Sequence, residues 1–352
     1  MHSQASSTAW VESLDPWPEE FGLDRMRALL AALGEPQRAY PAIHVVGTTG
    51  KGTAVRTIEE LLAGEGLRVG AYLSPHVRGW RERIRAGGEE ADFDAAVERV
   101  RPHAAGATQF EVLTAAAFGE FAEAGVDVAV VEAGLGGRLD ATNVLGADIV
   151  LLTNVALEHT AVLGGTREAI AREKLAVVRR GSTAILPDSE FEHLVPEARL
   201  LIGGAREAAS AFVGRPLERE VEVALPGRFE RRGAEIWDGA HTPEAAEWLL
   251  ARIPERDYVL CVSILGDKDV DAILERLARA GHMLVATRSS NPRALEAHEL
   301  ARRARTWFGH VEAVAEPVAA LARARELGER LLVTGSLYLL ADVYRAEEQD
   351  VR

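Results

Sequence analysis

The chain has 352 residues, 47% of them hydrophobic and 27% charged, which is ordinary globular usage and excludes disordered and fibrous classes. Forty Lys and Arg against 54 Asp and Glu leave a formal charge of −14, so there is no general pull on nucleic acid or anionic lipid, and any bound anion needs a local site. The length suggests two domains, and a single cysteine, Cys261, excludes a disulfide framework or a cysteine-based metal cluster.

The opening residues 1–20 lack a basic start and an apolar core, so no signal peptide is expected. No stretch approaches the ~18 apolar residues of a membrane span. A cytoplasmic, soluble protein is the expectation.

In chain order, short β-branched runs alternate with amphipathic stretches, the pattern of a mostly parallel sheet covered by helices. Residues 43–46 read as a first buried strand. Residues 53–63 continue as a helix with Val55, Ile58, Leu61 and Leu62 on one side. Phe110, Leu113, Ala117, Phe118 and Phe121 recur at helical spacing and predict a helix over 111–123. Residues 126–131 and 149–152 read as two further strands. Thr166 is placed to cap a helix running to about Val178, with Glu168 favoured in its first turn. A Pro-Gly turn at 225–228 then interrupts the chain. The alternation restarts with strands at 235–237, 258–264, 283–287 and 331–334. The predicted domains are residues 1–226 and 227–352.

Residues 43–53 read IHVVGTTGKGT: a buried strand, a glycine-rich turn, then a helix. Backbone N–H groups of such a turn and the start of the next helix cradle phosphate oxygens. Lys51 would supply charge to the outer phosphates and Thr53 a hydroxyl near a metal. The plain alternative is a glycine-rich turn with an incidental lysine, since the spacing differs from the common G-x-x-x-x-G-K-[ST]. Glu132 follows an almost wholly apolar run and should end a buried strand. Thr153 and Asn154 end another, with His159 shortly after. Open α/β sheets bind ligands at the carboxyl ends of strands, so these groups are expected to converge. Mg²⁺ is a hard cation that takes few protein ligands, and Glu132 suits it. From the residues alone, His159 reads equally as a capping or core histidine, Ser74-Pro75 as a turn, Lys174 as a surface lysine and Asp140 as a loop cap.

The loop GTTGKGT resembles the nucleotide loop of the folylpolyglutamate synthase/dihydrofolate synthase family, a branch of the Mur ligases. FGLDRMRALLAALGEP precedes it, and LSPH (73–76), ERI (82–84), FEVLTAAAF (110–118), VDVAVVEAGLGGRLDATNV (126–144) and TNVALEHTAVLGGTREAIAREK (153–174) follow. PGRFE, WDGAHTPEAA, LGDKD and TGSLYL continue in the family's order. The resemblance implies a P-loop-type ATPase domain with a mostly parallel sheet, then a Rossmann-like α/β ligase domain. It implies an ATP- and Mg²⁺-dependent ligase that adds L-glutamate to a folate-type pterin, dihydropteroate or tetrahydrofolate, through an acyl phosphate.

Carried over position by position, Gly47, Thr48, Thr49, Gly50, Lys51, Gly52, Thr53, Arg228 and Asp238 are implied to meet ATP. Ser74, Glu132 and His159 are implied metal ligands. Lys174 is the implied carbamylated lysine, and His241 faces the incoming amino acid. Lys51, Lys174, Arg228 and His241 form the implied catalytic set. Arg83, Phe110, Glu111, Leu139, Asp140 and Ala141 are implied pterin contacts. A monomer with small-molecule substrates, and neither nucleic acid nor membrane as partner, is expected.

The sequence also departs from the family pattern. Thr49 and Thr242 replace asparagines, Glu158 replaces an aspartate, and Leu175-Ala176 replace Ala-Gly. Between Pro187 and Pro226 a β-rich stretch, a His-Gln pair and the asparagine that holds adenine are absent, and residues 203–214 are expected to be the remnant of that helix. These departures keep two rival readings open: a nucleotide-binding regulatory protein that has lost ligation, and a ligase for a different carboxylate.

Overall fold

The computed structural model describes residues 6–253 and 256–350. They form two compact units, the first running to His76 and over Trp80–Val223, the second taking Val77–Gly79 and the chain from Ala224.

In the first unit, helices α1 (Ser7–Glu12) and α2 (Asp24–Ala32) precede strand β1 (Ala42–Val46), helix α3 (Lys51–Gly64) and strand β2 (Val69–Tyr72). A hairpin of β3 (Ile84–Ala86) and β4 (Glu89–Glu90) leads to α4 (Phe93–Val100) and α5 (Gln109–Ala124). Then come β5 (Val128–Glu132), β6 (Ile149–Leu152), α6 (Thr160–Leu163) and α7 (Arg167–Leu175). The unit closes with β7 (Thr183–Leu186), β8 (Arg199–Ile202) and α8 (Ala205–Val213).

The sheet order is β4-β3-β2-β5-β1-β6-β7-β8. Strands β2, β5, β1, β6, β7 and β8 are parallel, and the β3–β4 hairpin is antiparallel. Every residue of β1, β5 and β6 is buried, which is why they read as apolar runs broken only by His44 and ended by Glu132: helices cover both faces of a parallel sheet. Val45 pairs with Glu132 and Val46 with Leu152. The carboxyl ends of β5, β1 and β6 therefore open side by side, and this placement builds the site.

Local chemistry explains where the elements start and stop. Gly50 caps α3 in the left-handed region at φ 78°, so the helix begins at Lys51, two residues before the predicted start. The strand predicted over 126–131 lies instead at Val128–Glu132. The Val126 N–H returns to Phe121 O and closes the end of α5 behind Gly125, so Val126 is spent on the helix. Helix α7 stops at Leu175, three residues short of the prediction. A helix, α8, lies within the stretch 203–214 and packs on α3.

The second unit starts with β9 (Glu230–Arg232) and β10 (Glu235–Trp237), an antiparallel pair, followed by α9 (Pro243–Leu250) and β11 (Val259–Val262). Next are α10 (Val270–Leu277), β12 (Met283–Ala286), α11 (Ala297–Ala304) and β13 (His310–Ala313). Helix α12 (Pro317–Leu327), strand β14 (Leu331–Thr334) and helix α13 (Leu337–Asp350) complete it. The order is β13-β12-β11-β14-β10-β9, parallel except for β9. Cys261, in the centre of β11, is fully buried, and burial pushes its thiol up to about 12. Both units are α/β, as the sequence implies. No helix among the described residues is long and apolar enough to cross a membrane.

Candidate active site

The glycine loop leaves β1 and is pinned to the segment after β6. Gly47, at φ 149°, lies so close to Thr153 that a Cβ there would overlap the Thr153 hydroxyl. Thr153 Oγ1 donates to Thr49 O at 2.7 Å. Asn154 accepts the Thr49 N–H at 3.0 Å and donates to Thr49 O and Oγ1 at 3.2 and 2.8 Å. Thr49, the departure from asparagine, thus has its hydroxyl engaged. Thr48 N donates to Asn154 O at 3.0 Å. Thr53, exposed, lies in the first turn of α3 beside Gly52. Lys51 Nζ folds back onto the carbonyls of Gly47 and Thr48 at 3.1 and 3.2 Å, 3.9 Å from Glu132 Oε1.

Glu132 is the last residue of β5, and its Oε2 accepts the Ser74 N–H at 3.0 Å. His159 sits at the start of α6 in the left-handed region, at φ 46°, and is exposed. Among the described residues no three His, Cys, Asp or Glu side chains are grouped to hold a metal ion. Mg²⁺ does not need such a group when phosphate oxygens and water complete its shell, and the hard oxygens of Glu132 beside Lys51 fit that ion.

Lys174 is not a surface lysine: it is 1% exposed. From α7 its Nζ donates to Gly47 O at 2.8 Å and to Glu158 Oε1 at 2.9 Å. Burial pushes its pKa down and Lys51 adds to that, while Glu158 opposes it. Burial alone would raise the Glu158 carboxyl, but Lys174, Lys51 and His159 outweigh it and hold it below its ordinary value. The Glu158 substitution therefore lies directly on the buried lysine.

Two of the implied pterin contacts have structural duties. The Glu111 carboxylate accepts the Thr108 N–H at 2.8 Å in a capping box on α5 and pairs with Arg25 at 3.2 Å. Asp140, 7% exposed, takes the Leu135 N–H at 2.7 Å, the Thr142 N–H at 3.0 Å and the Thr142 hydroxyl. It is the loop cap that its sequence context left open. Phe110 lies against the backbone at Gly134 and 6.1 Å from the Tyr72 ring. Leu139 is half-buried and Ala141 buried in the same 134–142 loop. Arg83 is buried, donates to His76 Nδ1 at 2.9 Å and covers the Trp80 ring at 5.0 Å. Burial pushes its pKa down, with Tyr72 opposing.

Sequence reasoning passed over His44, which is buried in β1 with its Nε2 2.7 Å from Thr142 Oγ1. The signal was there: a polar residue inside a wholly buried strand must have a partner.

In the second unit, Arg228 and Asp238 lie on cross-tied turns. Asp238 accepts the N–H groups of Phe229 and Ala240 at 2.7 and 2.8 Å, and Gly239 N donates to Gly227 O at 2.9 Å. Burial raises the Asp238 carboxyl, against these bonds and the Arg228 charge. His241 Nδ1 lies 2.7 Å from Gly239 O, an acceptor, so Nδ1 carries the hydrogen. Thr242 caps α9 through Ala245 N at 3.2 Å, a task threonine and asparagine share.

Residues 227–337 match the family model for the Mur ligase, glutamate ligase domain. The dihydrofolate synthase/folylpolyglutamate synthase of Escherichia coli (strain K12) is 32% identical, covering 96% of this chain and 94% of its own. That of Mycobacterium tuberculosis is also 32% identical, covering 83% and 80%. Among solved structures, Mycobacterium tuberculosis folylpolyglutamate synthase complexed with ADP has a TM-score of 0.86 at 29% identity, covering 98% of this chain and 97% of its own. The Escherichia coli enzyme in complex with DHPP and ADP has a TM-score of 0.86 at 28% identity, covering 99% of both chains. A bifunctional folylpolyglutamate synthase/dihydrofolate synthase with Mn, AMPPNP and L-glutamate bound has a TM-score of 0.83 at 28% identity, covering 98% of both. The chain belongs to the dihydrofolate synthase/folylpolyglutamate synthase family and is an ATP-dependent acid–amino-acid ligase.

Proposed function

We propose that this ligase activates the carboxylate of a folate-type pterin with ATP and joins it to L-glutamate. Amide formation from a carboxylate in water is uphill, and an acyl phosphate supplies the leaving group that lets the glutamate amine attack. The observation that carries the reading is the glycine loop, with Lys51 laid over its carbonyls and Glu132 3.9 Å away. The bound ADP, DHPP and L-glutamate of the solved relatives support it.

In this reading residues 1–226 bind ATP and residues 227–352 are the ligase domain. The loop N–H groups of residues 47–53 orient the phosphates, and Lys51 offsets the charge that develops during transfer. Ser74, Glu132 and His159 would hold Mg²⁺, which supplies charge neutralisation at the phosphate oxygens when bound. Arg228 is assigned to the phosphates, Asp238 to the nucleotide and His241 to the incoming amino acid. Arg83, Phe110, Leu139 and Ala141 contact the pterin, with Asp140 and Glu111 shaping the segments that carry them.

The test is one assay. Purified protein is given ATP, Mg²⁺ and labelled glutamate, with dihydropteroate or tetrahydrofolate in parallel. ADP release that requires both glutamate and a pterin is the expected result. ATP binding without turnover on any acceptor points to a regulatory protein, and turnover with another carboxylate alone points to a different acceptor.

Carbamylation of Lys174 belongs to the same proposal. Its lowered pKa favours the neutral amine, whose nitrogen attacks the carbon of CO₂ and releases a proton to form the carbamate, whereas the Glu158 carboxylate 2.9 Å away disfavours an added anion. Lys174→Ala is expected to lose activity, with partial recovery on adding a short carboxylic acid. Recovery with methylamine instead would assign the role to the ammonium.

A further inference from the structure

Strand β1 serves two loops. Its end is the phosphate loop, and His44, three residues before Gly47, holds another. His44 is 1% exposed among alanine, isoleucine and valine neighbours in the strand. Thr142 spends its one hydroxyl hydrogen on Asp140 Oδ1, so at 2.7 Å it can only accept from the ring, and His44 Nε2 carries the hydrogen. Asp140 then closes the 134–142 loop on itself through the Leu135 and Thr142 N–H groups. Burial and the Arg179 charge lower the imidazole to about 4, so the ring is neutral near pH 7 and is a fixed donor rather than a proton carrier.

Helix α7 makes a second tie between the same two loops. Its Lys174 holds Gly47 O, while Glu173 O accepts the Arg138 N–H at 3.0 Å and the Glu173 carboxylate pairs with Arg138 at 2.8 Å. The 134–142 loop is thus referenced to the phosphate loop from two directions. Only one of the two ties runs through a side chain placed in a strand core at the cost of burying a polar ring.

We propose that His44 is a positioning residue for the acceptor: through Thr142 and Asp140 it sets the 134–142 loop, and with it the acceptor carboxylate, in register with the phosphate loop. The inference rests on the reading that Leu139 and Ala141 seat the pterin acceptor. It assigns to His44 an effect on one substrate and not the other, which a purely structural histidine would not have.

The test is steady-state kinetics on the full chain with ATP and acceptor varied separately. His44→Leu is expected to raise the acceptor KM about tenfold while the ATP KM stays within about twofold. His44→Gln can place an amide N–H near the old Nε2 and is expected to return the acceptor KM to within about threefold of the parent. Thr142→Val should reproduce His44→Leu, and the double variant should be no worse than either single one. An unchanged acceptor KM, or equal rises in both KM values, overturns the proposal. If His44→Leu does not fold, Thr142→Val and His44→Gln decide it by the same readout. Leu139→Ala separates the two layers. Should it leave the acceptor KM unchanged, the assignment of the loop to the acceptor fails; should it raise that KM while Thr142→Val does not, only the role of His44 fails.

Discussion

Lys51→Met is expected to lower kcat by about 10³-fold, the scale seen when a transition-state charge contact is removed, with the fold intact. The side chain makes no core contact that methionine could not replace: its amine meets the Gly47 and Thr48 carbonyls and stands near Glu132. What is lost is the charge and its two hydrogen bonds to those carbonyls. Without it, the phosphates lose the lysine charge that stands between the loop carbonyls and Glu132, so ATP affinity should fall as well, by less than kcat does. Circular dichroism and thermal unfolding should match the parent. A variant retaining a tenth or more of parental kcat would show that the phosphates lie elsewhere.

The second large effect is expected from Gly47→Ala. The new Cβ would overlap the Thr153 hydroxyl, and φ 149° is a conformation that alanine rarely adopts. Either Thr153 yields, losing its bond to Thr49 O, or the peptide rotates. Rotation moves the Gly47 carbonyl, which both Lys51 and Lys174 hold. We expect ATP binding weakened by about a hundredfold and stability reduced by about 1–3 kcal/mol, measured by calorimetry and denaturant unfolding. Adding Thr153→Ala removes the clash but not the backbone strain, so the double variant should regain part of the stability and little of the affinity. Parental affinity in Gly47→Ala alone would refute the loop geometry.

How much was legible in the sequence depended on what kind of force made each feature. Strands β1, β5 and β6 are buried throughout and apolar save for His44 and Glu132 because both faces are covered, and the stretch 149–152 emerges from sequence and structure with identical bounds. Glu132 could be placed at a strand end for the same reason. The strands β2, β7 and β8 have four residues each, and the β3–β4 hairpin is largely charged, so their existence rests on pairing partners far along the chain. In the site, the family resemblance marked Lys174, Asp140 and Glu111 but not their partners. Helical spacing does not reveal that Lys174 points inward beneath a carbonyl 127 positions earlier in the chain. Nor does it reveal that the oxygens of Asp140 and Glu111 are spent on N–H groups of their own segments. His44 was hidden by its surroundings, since an apolar strand draws attention away from its one polar member.

The single cysteine gives the second unit an internal clock. Cys261 lies in the middle strand pair of its sheet with no exposed surface and a thiol held far from its reactive form. A thiol reagent therefore meets no competing surface sulfur and modifies the chain only when β11 opens. The labelling rate then reports the opening of β11 at that one position, without any engineered probe. Repeated with each ligand in turn, it would tell which of them tightens the second unit and which leaves it breathing as before.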